Sequence, residues 1–193
     1  IPRLRPLLLN RQKLLDNVGL IFIFNALANI SWIFAWHYGQ IALSLVIMIV
    51  LLITLILIAG HINNTEKFKP IDCFSLRLPF SIYFGWITVA TIANVSVLLV
   101  SLGWDGWGIS EQIWTIVVLL VGATIGIVRG LKDKNIPYVG VFIWAYAGII
   151  LKHSSESGYA LAYPNIIITL VICLLLFSGT IGWIAGRENK KKA

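Results

Sequence analysis

Residues 25–36 read NALANISWIFAW. At about 100° per residue, Asn25, Asn29, Trp32 and Trp36 share one narrow helical face. A second stretch, YFGWITVATIAN, puts Tyr83, Trp86, Ala90 and Asn94 on one face, with Thr91 at its flank. The segment VFIWAYAG adds Trp144 and Tyr146. Such faces are suited to recognition rather than bond making: indoles stack on flat apolar molecules, and amides hydrogen-bond polar edges. The competing reading is adhesion. An Asn facing hydrocarbon leaves its donors and acceptors unpaired, so it turns into a bundle and bonds a neighbouring helix, for about 0.6 kcal/mol per contact. For a lone Asn adhesion is the simpler reading. The pairing of Asn with Trp on two separate helices brings ligand lining level with it.

Residues for catalysis are scarce. No Asp, Glu, Lys or Arg occupies the middle of an apolar run, where pumps and proton-coupled transporters need one. His37, His61 and His153 stand apart at loop positions and form no metal-binding spacing. The Ser and Thr residues of the apolar runs have no neighbouring His or acid to activate them. Cys73 lies in a polar loop and Cys173 in an apolar run, which suggests neither a disulfide framework nor a thiolate metal site. There is no Gly-rich phosphate loop. The residues thus speak against a hydrolase, a metalloenzyme or an ATPase, with no catalytic residue or metal site expected, and leave a binding protein or facilitator open.

The elements that position these faces follow from composition. The chain has 193 residues, is 59% hydrophobic and only 12% charged. A soluble domain carries about 25% charged residues. Six apolar spans are expected, over 17–36, 41–60, 79–102, 112–129, 136–152 and 164–185, forming one all-α transmembrane domain over 1–193. Charge tests the count. If six spans cross, one side holds 14 of the 15 basic residues and the other only Lys152. The positive-inside rule then places both termini in the cytoplasm. The +7 net charge reflects these loops and not a nucleic-acid partner. Trp36, Trp104, Trp107, Trp114 and Trp183 fit an interfacial aromatic belt, whereas Trp32, Trp86 and Trp144 lie deeper. Two ridges of small residues, Gly122–Gly126–Gly130 and Ser178–Gly182–Gly186, are expected to pack closely against neighbouring helices, one candidate pairing being with each other.

At the first and third spans the sequence resembles the tryptophan-rich sensory protein family, also called the TspO/MBR or translocator protein family. One family helix reads L-x-x-N-x-x-W followed by aromatics, and Asn29, Trp32, Phe34 and Trp36 stand in that pattern. Its last helix reads P-Y-x-x-W-x-x-x-A-x-x-x-N, and Tyr83, Trp86, Ala90 and Asn94 fall in register. The family's Pro is displaced here: Ile82 precedes Tyr83, and Pro79 lies three residues earlier. The resemblance covers about residues 20–102. It implies an enlarged bacterial variant, with two family helices not present before Ile1–Asn17, which reads as a connector, and three helices added after Ser110. It also implies a multi-pass protein of the bacterial cytoplasmic membrane.

Family resemblance further implies a hydrophobic planar ligand of porphyrin type, held for sensing or transport by Asn29, Trp32, Tyr83, Trp86 and Asn94. The partners expected are the lipid bilayer and a hydrophobic small molecule, with a homo-oligomer left open. The alternative function is a transporter or facilitator of a small uncharged solute, which would need a continuous polar path through the helices. An intramembrane enzyme acting on porphyrin or lipid and a structural partner subunit are further readings.

Overall fold

The computed structural model describes the backbone of residues 5–63 and 73–190. Among them every regular element is helical. Six helices are long and apolar enough to cross a membrane. They are α1 (Arg5–His37), α2 (Ile41–Asn63), α3 (Leu78–Ser101), α4 (Glu111–Asp133), α5 (Ile136–Ser154) and α6 (Pro164–Lys190). A single π-helical turn, Cys73–Arg77, leads into α3, and one 3₁₀ turn, Gly106–Gly108, precedes α4. Arg3, Lys67, Lys69, Lys191 and Lys192 of the charge-sorting argument lie outside the described residues.

Helix α1 corrects one expectation. The basic segment read as a connector is helical from Arg5 onward. Pro6 sits in the first turn, where its missing N–H costs no hydrogen bond, and no breaker follows before Gly19. The short fifth span also gains residues. Its helix, α5, has 19 of them, so at 1.5 Å per residue it approaches the roughly 30 Å of a hydrocarbon core.

The chain divides into two compact units, Ile1–Ser101 and Leu102–Ala193. In the first unit α2 packs against both α1 and α3. Its buried side chains, including Met48, Leu51, Leu55 and Ile58, are almost wholly enclosed. Phe22 of α1 and Phe80 of α3 meet edge to face, with ring centroids 5.4 Å apart. The outward faces are lined by Leu20, Ile23, Leu27, Val46, Ile53, Val97 and Val100, all exposed. Exposed aliphatic rows of this kind suit lipid as solvent, where helix association comes from close packing and hydrogen bonds rather than from hydrophobic burial.

In the second unit α6 packs against both α4 and α5, and α4 touches α5 less extensively. Asn135 opens α5 by accepting from the Tyr138 amide at 3.2 Å, and Pro137 occupies its first turn. Lys134, at φ 48°, closes α4 in the left-handed conformation. Together these two residues make a two-residue reversal. Phe142 stands between Tyr138 and Phe177, with centroids at 5.4 and 5.6 Å. Tyr146 meets Phe177 edge to face at 5.1 Å and donates its hydroxyl to the Leu119 carbonyl of α4 at 2.6 Å.

The small-residue ridges divide. A Cβ on Gly126 would lie 2.9 Å from the Phe142 ring, and one on Gly130 would collide with Val139. This first ridge is therefore an α4–α5 contact. The second does not pack inside its unit: Ser178, Gly182 and Gly186 are exposed, with nothing within 4 Å of a Cβ built on either glycine. Helix α6 instead buries Ile166, Leu170, Cys173, Phe177, Thr180 and Ile184, a stripe rotated about 160° from the ridge and so on the nearly opposite face. The mainly aliphatic stripe, with Phe177 at its centre, takes the interior because larger side chains fill the space between three helices better than glycines do.

Candidate functional site

In α2 the residues from Ile41 to Gly60 carry polar side-chain atoms at only two places, Ser44 and Thr54. Both are buried. Each also back-bonds to its own helix, as a hydroxyl in hydrocarbon must: Thr54 to the carbonyls of Val50 and Leu51, Ser44 to that of Ile41. Each faces an Asn of a flanking helix. Asn25 of α1, 0% exposed, donates its amide to Thr54 Oγ1 at 2.6 Å and to the Leu51 carbonyl at 3.3 Å. Asn94 of α3, 5% exposed, accepts from Ser44 Oγ at 3.2 Å and donates to its own Ala90 carbonyl at 3.0 Å. Two polar clasps thus pin α2 to its neighbours.

Asn25 is tied to its neighbour, as the adhesion reading anticipates. Asn94, a residue the family resemblance assigns to ligand, makes the same kind of clasp. Ser44 and Thr54 belong to no motif. Their signal is scarcity: the hydroxyls of an otherwise apolar helix mark where its neighbours must bring an amide.

The remaining candidate residues are spread over two helices. Asn29 and Trp32 are half-buried on α1 beyond Asn25. The Trp32 indole stacks on that of Trp36, with centroids 5.9 Å apart and planes inclined by 26°. Tyr83 is half-buried on α3. Trp86 is 51% exposed. It points away from the buried face that Phe84, Ile87 and Thr88 form in the same helix. So Trp86 and Asn94 do not share one enclosed face: Asn94 is turned to α2, and Trp86 outward. Trp144 of α5 is exposed, and Tyr146 is enclosed in the second unit.

Two buried polar atoms on the α1 stripe have no hydrogen-bond partner: Asn25 Oδ1 and Trp32 Nε1. One is an acceptor and the other a donor. They are seven residues apart, or roughly 10 Å along the helix axis. Unpaired buried groups of this kind are uncommon and each costs about 1–3 kcal/mol. Among the described residues no group of three or more His, Cys, Asp or Glu side chains could hold a metal ion.

Six apolar helices, polar clasps between helices and no charge at mid-span define a polytopic α-helical membrane protein. The chain is more particularly a member of the TSPO-like protein family, whose model matches residues 9–183. That match runs from α1 into α6, and so extends well past the 20–102 stretch that carries the sequence motifs. No curated protein and no solved structure matches the chain.

Proposed function

We propose that this TSPO-like protein binds a hydrophobic planar ligand, of tetrapyrrole type, for sensing or transport. One observation carries the reading. The α1 stripe, in a family known for such ligands, holds a buried indole N–H and a buried amide oxygen that nothing satisfies. Both atoms are closed to solvent, so a flat apolar molecule with an acceptor at one edge and a donor at another would complete them on parting α1 from its neighbours, its faces then lying on indole. Half-buried Asn29 stands between them on the same stripe, and Tyr83 and exposed Trp86 supply aromatic surface on α3.

Protoporphyrin quenching of tryptophan fluorescence tests the proposal. Trp32→Phe keeps the ring but removes the N–H. Loss of one hydrogen bond of about 1 kcal/mol corresponds to roughly fivefold weaker binding. Trp86→Phe with Asn94→Ala probes the α3 residues. A quenching curve unchanged in both variants overturns the site.

A further inference from the structure

The loop GWDGWGIS before α4 builds a compact aromatic body. Trp104, Trp107 and Trp114 all touch one another, with ring centroids 4.9–5.7 Å apart and planes inclined by 58–86°. The Trp114 indole donates to the Gly106 carbonyl at 2.8 Å. Gly106 is at φ +65°, and a Cβ there would press on the Trp114 ring at 3.0 Å. The Asp105 carboxylate accepts from the Trp107 backbone amide at 2.9 Å, so an anionic group is fixed against the backbone that carries the Trp107 ring. Trp107 itself is 75% exposed.

Along the chain, the charge next to this body is one-sided. No Lys or Arg occurs between Arg77 and Arg129, whereas Asp105 and Glu111 flank the three indoles. Belt tryptophans that anchor a protein at anionic headgroups keep basic neighbours in sequence; the charged residues flanking these are acids. Indole faces carry negative quadrupole potential, and carboxylates add to it, so the surface is complementary to a soft organic cation. The loop also caps a membrane-spanning helix, which sets it at headgroup depth.

We infer that Trp107, backed by Trp104 and Trp114 and flanked by Asp105, is a docking site for the quaternary ammonium of a zwitterionic lipid headgroup. The rings are in mutual contact, so the cation seats on the outer face of Trp107 and not between the indoles. Asp105 supplies the charge, and the hydrogen bond to Gly106 holds the backing ring still. This site shares no residue with the α1 stripe, and its failure leaves the planar-ligand proposal untouched.

The test uses the full chain in non-ionic detergent micelles. Tryptophan quenching by a nitroxide bearing a trimethylammonium group is compared with quenching by an uncharged nitroxide. The expected result is a cationic preference of at least threefold at low salt, weaker at high salt. Asp105→Asn, which keeps the acceptor and removes the charge, should bring the preference near one, as should Trp107→Ala. A short-chain phosphatidylcholine should displace the cationic probe, and the matching phosphatidylglycerol should not. Equal quenching by both probes overturns the site. A preference that survives Asp105→Asn and Trp107→Ala overturns the residue assignment. Displacement by free choline as effective as by the lipid overturns the lipid headgroup as the source.

Discussion

At the scale of residues, the two asparagines of the motif-bearing helices have unequal roles. Asn25 spends its amide N–H groups on α2 and keeps an unpaired Oδ1; Asn94 has both ends of its amide engaged. In membranes such contacts average about 0.6 kcal/mol and reach about 1.7. A double-mutant cycle with Asn25→Leu and Thr54→Val should therefore give a coupling energy of about 0.6–1.7 kcal/mol in detergent unfolding. An additive pair would remove the clasp from the account of stability. The asparagines were legible in sequence as polar residues that must turn inward. Their partners were not, because hydrogen bonding between helices depends on the relative height of two helices, which no local pattern encodes.

At the scale of elements, the glycine ridge of α4 and the one on α6 look alike in sequence and behave oppositely. Gly126 and Gly130 admit Phe142 and Val139 of α5, so Gly126→Leu should overpack the contact and cost about 1–3 kcal/mol, seen as a lower Tm in detergent. Gly182→Leu, with open space around its Cβ, should leave Tm nearly unchanged. If the two substitutions cost the same, the assignment of the first ridge alone to a tight contact fails. A spacing of four places small residues on one face; it does not say whether a bulky stripe on the opposite face will claim the interior first. On α6 the stripe running from Ile166 to Ile184 does so. The helix ends were more readable. Asn135 with Pro137 marks the start of α5, and Ser110 marks that of α4, since capping and first-turn chemistry are local.

At the scale of the whole molecule, the charge pattern gives an orientation that we propose for the membrane: both termini and the α2–α3 and α4–α5 connections in the cytoplasm, with the loop before α4 and Lys152 opposite. Labelling of single-cysteine variants in intact cells by an impermeant reagent checks it. A cysteine at Ser157 should label, and one at Lys132 should label only after permeabilisation. The reverse pattern would invert the protein and put the tryptophan body on the inner leaflet. The two units use different internal orders, with the second helix central in one and the last helix central in the other. A spacing echo such as FGW at 84–86 and FIW at 142–144 therefore marks no shared packing plan.

Sequence by itself determined the solvent, the helix class and the spans, because a bilayer demands about 20 apolar residues per crossing with every backbone group paired inside the helix. It also carried the family, through Asn, Trp and Tyr at helical spacing. Only the tertiary structure decided which polar residues are consumed and which remain. Asn94 is bound to Ser44, Trp86 faces outward, and Asn25 Oδ1 and Trp32 Nε1 stay unpaired. Whether an amide is a clasp or a ligand contact depends on the atoms of another helix brought within about 3 Å, and that distance is fixed by packing far along the chain.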